Sequence, residues 1–195
     1  MKLIVGLGHP GILYAGSRHN IGYSVIKALS KIYKVSPKRD RGTFSLTAKT
    51  KIDSQNVILA LPLTFMNLSG NAVRDLLKKY KIDLTDLLVV CDDLDLELGR
   101  QKLRPGGSSA GQRGLQSIIE SLRSNEFNRL RLGIGRPPRG IDPSEYVLMQ
   151  FSRKEKELAK EMIASAVSCC QSWVTKGTTE TMNIFNKRPK ESSHA

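Results

Sequence analysis

Short apolar segments alternate with longer segments of helical periodicity along this chain. The short segments predict β-strands at residues 3–7, 43–49, 56–61, 87–91, 99–104 and 129–134. Apolar residues at helical spacing predict α-helices at residues 23–33, 70–80, 115–122 and 153–176. Such alternation predicts an α/β fold with helices on the faces of a mixed or parallel sheet. The length of 195 residues suits one domain, and the sequence contains no evident repeat or domain boundary.

Local signals refine the ends of these elements. Ser69 precedes the second helix as a candidate N-cap. Ser152 and Glu155 have the spacing of a capping box at the start of the last helix. Prolines and glycines predict that residues 135–145 form a loop without a helix. Polar residues 186–195 are predicted to form a disordered tail after a domain of residues 1–185.

Basic residues outnumber acidic ones by 31 to 18, which gives a formal net charge of +13 at pH 7. A field of this sign attracts phosphate backbones and accelerates association with polyanions. The alternative is a basic surface that serves only solubility. Against that alternative, nine basic residues cluster near glycine-rich segments between residues 100 and 139. We therefore expect a polyanionic partner.

The sequence also predicts a compartment. No apolar run reaches the ~18 residues that a membrane-spanning helix needs, and the apolar run at residues 3–7 is short enough to be a buried strand instead of a signal peptide. The three cysteines, Cys91, Cys169 and Cys170, are an odd number without the spacing of metal ligands. We expect free thiols in a reducing, cytoplasmic setting, with no membrane partner.

Three polar segments stand where predicted strands end. They are residues 8–11 (Gly-His-Pro-Gly) with 18–20 (Arg-His-Asn), residues 64–70 (Thr-Phe-Met-Asn-Leu-Ser-Gly), and residues 91–96 (Cys-Asp-Asp-Leu-Asp-Leu). Together they contain an imidazole, a carboxylate able to orient it, and side-chain amides able to bind a carbonyl oxygen. These groups suit an enzyme that activates water against an ester. The net charge suggests that the ester is attached to a polyanion.

His19 is the candidate general base. It lies just before a predicted helix, whose dipole disfavours the imidazolium form, and it precedes Asn20, a candidate N-cap. A carboxylate on one ring nitrogen would leave the other free to take a proton from water. Strand alternation sends Asp92 and Asp93 to opposite faces, so only one of them can meet His19.

The same segments allow two other interpretations. The glycines at residues 6, 8 and 11 match a dinucleotide-binding fingerprint, but that fingerprint needs a helix directly after the turn and an acid about 20 residues later. We instead expect a turn that places His9 and lets backbone approach a ligand. Asp92, Asp93 and Asp95 are a weaker candidate for a divalent metal site, since no second histidine or further acid cluster is evident. We therefore predict neither metal nor cofactor.

Asn67 lies between two apolar residues just ahead of a predicted helix. Its amide is able to donate to a developing oxyanion, and Met66 beside it is able to pack against a base or a peptide. The alternative interpretation of this segment is a capped helix start.

These segments together resemble bacterial-type peptidyl-tRNA hydrolases, over about residues 1–185. The matching residues are 3–8 (Leu-Ile-Val-Gly-Leu-Gly), 10–11 (Pro-Gly), Tyr14, 18–20, 64–70, 92–96 and 129–135 (Arg-Leu-Arg-Leu-Gly-Ile-Gly). They occur in the order of the family, and their conjunction is specific although each one alone is not. The resemblance implies a monomeric, single-domain α/β/α globule around a mixed, mostly parallel twisted sheet. It implies hydrolysis of the ester between a peptide and the 3′ ribose of tRNA, which recycles tRNA in translation.

The resemblance also implies roles for individual residues. His19 would be the general base and Asp92 the carboxylate that orients it. Asn67 would hold the substrate and stabilise the tetrahedral intermediate, while Tyr14 and Met66 would line the channel. The residues implied to contact tRNA phosphates are Lys102, Arg104 and Arg131. The partner implied is tRNA, with no obligate protein partner.

Two positions depart from the family pattern. His9 stands where the family usually has Asn, and Gln112 and Arg113 stand where it usually has His-Asn. His9 is still able to donate a hydrogen bond and Gln112 keeps an amide, so both are predicted to bind substrate. Arg113 adds a charge that meets a phosphate or obstructs the channel. These changes leave a second hypothesis, a catalytically weak RNA-binding protein of the same fold, like the chloroplast intron-splicing relatives.

Overall fold

The computed structural model describes residues 1–187, which form a seven-stranded sheet with helices on both faces. The strands are β1 (Lys2–Gly6), β2 (Lys38–Asp40), β3 (Ser45–Ile52), β4 (Gln55–Pro62), β5 (Leu87–Asp93), β6 (Gln101–Arg104) and β7 (Asn128–Gly133). The α-helices are α1 (Ile21–Ile32), α2 (Ser69–Tyr80), α3 (Arg113–Leu122), α4 (Pro143–Tyr146) and α5 (Glu155–Phe185). Short 3-10 helices cover Ile12–Tyr14, Arg18–Asn20, Met66–Leu68 and Leu84–Asp86.

The strands lie in the order β2-β3-β4-β1-β5-β7-β6. The four central strands, β4, β1, β5 and β7, run parallel to one another. The outer ladders of β2 with β3, β3 with β4, and β6 with β7 are antiparallel. The sheet is therefore mixed, as predicted, and its parallel part is the centre. Because the carboxyl ends of parallel strands meet at one edge, the segments that follow β1, β4 and β5 are brought together there.

Each face of the sheet has its own hydrophobic core. Alternate residues of the central strands pack against α1 and α5 on one face, where Trp173 is the largest fully buried side chain. The residues between them pack against α2 and α3 on the other face. Helices on both faces produce the three layers expected from the alternating pattern.

Three elements differ from the sequence prediction. Strand β2 was missed because it has only three residues, all charged. The predicted loop 135–145 contains the start of α4, because Pro143 occupies its first turn, where a missing N–H costs nothing. Helix α5 continues past residue 176 to Phe185, although Gly177 at φ +78° breaks its helical geometry.

Ser69 does not cap α2. It is the first helical residue, and its hydroxyl is buried without a hydrogen-bond partner among the residues that the structure describes. Asn186, the first residue of the predicted tail, donates to the carbonyl of Leu103 on β6 and accepts from its N–H. The rest of that predicted tail, from residue 188 on, lies outside the described residues.

The three cysteines are free thiols, as predicted, and all three are buried. Burial raises the pKa of the Cys169 thiol to about 12 and raises the pKa of the other two thiols as well. Within residues 1–187, none of the helices combines the length and the apolar character needed to cross a bilayer.

Helix α1 approaches the sheet through two glycines. A Cβ built on Gly22 would lie 2.4 Å from the carbonyl oxygen of Val90 and 2.6 Å from the nitrogen of Leu7. A Cβ on Gly6 would lie 2.3 Å from the carbonyl oxygen of Gly22. The backbone of Tyr23 donates to Leu7 across the same contact. The first turn of α1 is thus fixed against the ends of β1 and β5.

We expect Gly22→Ala to lower the free energy of unfolding by about 1–3 kcal/mol, since the added methyl group meets backbone atoms that cannot move aside. This loss should appear even though Ala is intrinsically about 1 kcal/mol better than Gly inside a helix. Urea denaturation measures it. The control is Lys27→Ala on the exposed side of α1. Equal or greater stability of Gly22→Ala would refute the close packing.

Candidate active site

A cavity of about 810 Å³ opens at the carboxyl edge of the parallel strands. Nine of the residues predicted to form the site line it: His9, Tyr14, His19, Met66, Asn67, Asp92, Gln112, Arg113 and Arg131. Lys102 and Arg104, predicted to contact tRNA, lie outside it on β6. The structure therefore brings the three polar segments of the sequence to one place.

His19 and Asp92 form the polar centre of the cavity. The Nδ1 atom of His19 lies 2.8 Å from Oδ2 of Asp92, and both residues are buried, with 8% and 2% of their surface exposed. His19 sits in the 3-10 turn before α1, and Asp92 is near the end of β5. As a carboxylate, Asp92 can only accept a hydrogen bond, so the proton lies on Nδ1 and the lone pair of Nε2 is available.

The three acidic residues at the end of β5 and just after it have separate partners. Asp93 points to the other face of the sheet, as alternation predicted, and its Oδ2 lies 2.8 Å from Nε of Arg131. Its Oδ1 accepts from the N–H of Asp95. Asp95 pairs in turn with Arg136. Within residues 1–187, no group of three or more histidine, cysteine or carboxylate side chains is arranged to hold a metal ion.

His9 stands beside His19. Its ring centroid is 5.4 Å from that of His19 and 4.8 Å from that of Tyr14. Burial lowers the pKa of His9, the charge of His19 lowers it further, and Asp92 acts in the opposite direction. A lowered pKa keeps the imidazole neutral near pH 7, so His9 is able both to donate and to accept a hydrogen bond.

Asn20 occupies the predicted N-cap position of α1, but its side chain holds the backbone of His9 and makes no capping hydrogen bond. Its Oδ1 accepts from the N–H of His9 at 2.6 Å, and its Nδ2 donates to the carbonyl of His9 at 3.0 Å. The glycines of this segment also differ from expectation. A Cβ on Gly8 would meet the ring of Tyr23 at 2.6 Å, so Gly8, like Gly6, makes room for α1. Gly11, at φ +102°, is the one whose side faces open space.

Met66 and Asn67 lie in the 3-10 turn between β4 and α2. Met66 is buried, with its sulfur 3.6 Å from Nε2 of Gln112. Asn67 is exposed to the cavity, and its side-chain amide makes no hydrogen bond within the described part of the chain. Asn67 thus has a free amide for a ligand, whereas Met66 forms part of the wall.

Gln112 and Arg113 stand at the start of α3, where the first is buried and the second is exposed. Gln112 is buried at the N-cap, where Oε1 accepts from the N–H of Leu115 and Nε2 donates to Oδ1 of Asp92. Arg113 is exposed at the first helical position. It faces Asp142 across the mouth of the cavity, and its charge contributes to the lowered pKa of that carboxyl after the larger effect of hydrogen bonds from Ser144.

One wall of the cavity was not identified from the sequence. Residues 142–148 supply it, and they are attached to the turn that bears His19. The N–H of His19 donates to the carbonyl of Val147 at 2.8 Å, and the N–H of Arg18 donates to that of Met149 at 3.0 Å.

The side chain of Arg18 completes this attachment. Its guanidinium donates to both carboxylate oxygens of Glu155 at 2.8 Å and also contacts the carbonyl of Gln150. It stacks on the ring of Tyr146 with its carbon 4.3 Å from the centroid. The capping-box spacing identified Glu155, and its carboxylate accepts from the N–H of Ser152, but that spacing does not reveal its pairing with Arg18.

The basic residues divide into inner and outer ones. Arg129 is buried and donates to the carbonyls of Gly107, Ser108 and Asn125, so its charge is used inside the protein. Arg131 is mostly buried beside Asp93. Lys102 lies opposite Arg131 on edge strand β6, two residues before Arg104, which is exposed.

Comparison with known proteins identifies the family. The model of the peptidyl-tRNA hydrolase family matches residues 3–193. The chain belongs to this family. It is 43% identical over 186 residues to the peptidyl-tRNA hydrolase of Syntrophomonas wolfei, covering 95% of this chain and all of that one. It is 45% identical over 189 residues to that of Chlorobium chlorochromatii, covering 95% and 98%.

Solved peptidyl-tRNA hydrolases share the fold. One in complex with N-propanol superposes with a TM-score of 0.91 at 34% identity, covering 97% of this chain and 96% of that chain. The enzyme of Acinetobacter baumannii has a TM-score of 0.90 at 34% identity, covering 95% and 94%. The predicted family and fold class are therefore confirmed. The roles predicted for single residues within the family site remain predictions.

The contact of Glu155 with Arg18 should make stability depend on pH. Burial alone would raise the pKa of Glu155, but hydrogen bonds from Ser152 and the charge of Arg18 hold it below its usual value. A carboxyl with a lowered folded pKa stabilises the fold above its unfolded pKa of about 4.3, and this stabilisation is lost as pH falls through the folded pKa. We expect Glu155→Gln to lower the free energy of unfolding by about 2 kcal/mol at pH 7, and by much less at pH 3.

Urea denaturation at both pH values measures this difference. The control is Glu157→Gln, whose exposed side chain pairs with Lys160 and should contribute less than about 0.5 kcal/mol at either pH. A loss of the same size at pH 3 and pH 7 would mean that Glu155 acts through packing and not through charge.

Proposed function

We propose that the chain hydrolyses the ester bond between a peptide and the 3′ ribose of tRNA, with His19 as general base and Asp92 as the carboxylate that orients it. Membership of the peptidyl-tRNA hydrolase family supports this activity. The observation that carries the assignment of residues is the 2.8 Å contact between these two buried side chains in the cavity at the carboxyl edge of the sheet.

The chemistry follows from the free nitrogen of His19. Nε2 takes a proton from water, and the water oxygen attacks the ester carbonyl carbon to form a tetrahedral oxyanion. The C–O bond to the ribose then breaks, and the imidazolium returns the proton to the departing 3′ oxygen. Asp92 keeps Nδ1 protonated and stabilises the positive charge on the ring in between. These steps need only groups that this chain supplies.

The remaining cavity residues would bind the substrate. The free amide of Asn67 is available to donate to the oxyanion, where a fixed donor contributes about 3 kcal/mol in comparable enzymes. His9 is available to donate from its neutral ring, and Tyr14 and Met66 supply apolar surface. Arg113 at the mouth would meet a phosphate of the 3′ end.

Edge strand β6 would contact the tRNA backbone. Leu103 is buried toward α5, so alternation sends Lys102 and Arg104 to the opposite face, together with Arg131 of β7. The register opposes Lys102 to Arg131, which also lines the cavity. This row of cations supports a phosphate path from the edge of the sheet to the ester.

We also propose that the chain acts as a monomer in the cytoplasm. A single chain contains every group of the site, and three free, buried thiols suit a reducing compartment.

Substitution of the two central residues tests the reaction. His19→Ala should reduce kcat by about 10²–10⁴-fold, the usual contribution of a positioned base. Asp92→Asn should cause a loss of similar order because its amide group presents the wrong partner to Nδ1. The assay follows loss of N-acyl-aminoacyl ester from tRNA by the purified protein without added metal.

Asp93→Asn is the matched control, because that carboxylate faces Arg131 on the other side of the sheet. It should reduce kcat less than Asp92→Asn does. A greater loss for Asp93→Asn would transfer the orienting role to Asp93, and near-normal turnover of His19→Ala would refute the base. If the unsubstituted protein binds tRNA but does not hydrolyse the N-acyl-aminoacyl ester, the RNA-binding hypothesis is favoured.

Replacement of the cations on β6 tests the phosphate path. The double variant Lys102→Ala, Arg104→Ala should weaken tRNA binding and reduce the slope of log K against log salt by about 0.9 for each lost phosphate contact. Its kcat at saturating substrate should stay near normal. The control is Lys27→Ala, Lys31→Ala on the exposed side of α1, which removes the same charge. If both double variants weaken tRNA binding equally, the tRNA is attracted by the net charge of the protein and not by specific contacts with β6.

A further inference from the structure

Gln112 occupies a buried position between the start of α3 and the catalytic carboxylate. We propose that Gln112 is a positioning residue, which fixes the carboxylate plane of Asp92 and thereby the ring of His19, and that it does not bind substrate. This inference rests on the proposed roles of those two residues. It assigns the amide of Gln112 to the interior of the protein instead of the substrate channel.

The orientation of the Gln112 amide is determined by its neighbours. Oε1 lies 2.7 Å from the backbone nitrogen of Leu115, a group that can only donate. The other end of the amide must therefore be the NH₂ group, and it lies 3.0 Å from Oδ1 of Asp92. The sulfur of Met66, a weak acceptor, is 3.6 Å from the same nitrogen. A flipped amide would set two donors against each other at one end and two acceptors at the other.

Asp92 consequently receives one donor on each oxygen. Oδ1 accepts from Gln112, and Oδ2 contacts Nδ1 of His19 at 2.8 Å. A carboxylate held at both oxygens cannot rotate about its Cβ–Cγ bond without breaking a hydrogen bond. Asp92 is 2% exposed, so water cannot replace the lost donor freely, and an unpaired buried acceptor is unfavourable. Gln112 therefore restricts the direction in which Asp92 holds the imidazole.

The neighbouring polar residues of the cavity lack this arrangement. Asn67 is exposed and has no hydrogen-bond partner for its amide within residues 1–187, so it is free to meet a ligand. Gln112 is 8% exposed, and both ends of its amide are engaged. A ligand would find only the second lone pair of Oε1 and the N–H beside Met66, whereas every polar atom of the Asn67 amide is open to it.

The loop that carries Gln112 is itself fixed. The buried guanidinium of Arg129 donates to the carbonyls of Gly107 and Ser108. The N–H of Gln112 donates to the carbonyl of Ser109 at 3.1 Å. The amide thus approaches Asp92 from a rigid support on β7, which a positioning role requires.

Gln112→Glu tests the proposal with little change of shape. The new carboxylate still accepts from Leu115 but has no N–H for Asp92. We expect kcat to fall between about 10- and 100-fold, the effect of a small displacement of a catalytic group, with KM within about twofold of the parent. Gln112→Met, which brings no charge, should lower kcat as well. Gln116→Met, on the exposed side of the same helix, is the control and should change neither constant.

The decisive measurement repeats Gln112→Glu in an Asp92→Asn background. There the amide introduced at position 92 is able to donate to the carboxylate introduced at position 112. This hydrogen bond turns the carbonyl oxygen of that amide toward His19 and restores the correct partner for Nδ1. The same substitution should therefore raise kcat severalfold above that of Asp92→Asn alone. A positioning role thus predicts a change of sign between the two backgrounds. Thermal unfolding of each variant confirms that it is folded at the assay temperature.

Three results would overturn the inference. A raised KM with unchanged kcat would make Gln112 a substrate ligand, and equal losses from Gln112→Glu in both backgrounds would mean that it does not act through Asp92. Either result, with Asp92→Asn strongly impaired, leaves the proposed function intact. Near-parental turnover of Asp92→Asn itself would overturn the proposed role of Asp92 and this inference together.

Discussion

The position of His19 depends on a close contact between α1 and the sheet that only glycines at both sides of the contact allow. Gly6 and Gly22 let the first turn of α1 lie directly on the backbone at the ends of β1 and β5. His19 precedes Gly22 by three residues, and Asp92 follows Val90, which Gly22 touches, by two. His19 and Asp92 are thus both held by short lengths of chain from the same point. Short connections matter because a displacement of a catalytic group by about 1 Å can lower the rate of an enzyme by about 10²-fold.

Asp92 and Asp93, the two buried acids at the end of β5, each have a separate partner. Buried charges are tolerated only when they are paired and hydrogen bonded. Asp92 is held by His19 and Gln112, whereas Asp93 is held by Arg131 and the backbone of Asp95. Alternation of strand β5 separates the two acids, so neighbours in sequence serve different faces. The consequence is one carboxylate devoted to the imidazole and one that anchors a cation beside the cavity.

Local rules predicted what depends on local geometry, and they failed where distant contacts decide. Alternation correctly separated Asp92 from Asp93, and the meeting of strand ends correctly gathered the polar segments into one cavity. The glycines at positions 6 and 8 were misinterpreted, because a pattern that lets backbone approach a ligand equally lets a helix approach a strand.

Arg18 and Glu155 are 137 residues apart, and no spacing rule relates them. Strand β2 has three charged residues, and it is a strand because β3 offers it an edge, not because of its own propensity. Gln112 is a further case, since its amide suggested a ligand for substrate while the fold gives it a partner in Asp92.

Two of the departures from the family pattern, His9 and Arg113, lie on the wall of the cavity, whereas the third, Gln112, contacts the central Asp92. His9 is held through its backbone by Asn20, so its placement does not depend on which side chain it carries. Its neutral ring keeps a donor where the family usually offers an amide. Arg113 projects from the exposed first turn of α3 opposite Asp142. Of these two neighbours in sequence, Gln112 contacts Asp92 and Arg113 does not. A charge at the mouth changes how strongly a polyanion is held, and how much that depends on salt. It does not alter the hydrogen bonds that orient His19. His9 and Arg113 therefore bear on substrate affinity, and the intact central pair of His19 and Asp92 favours an enzyme over a protein that only binds RNA.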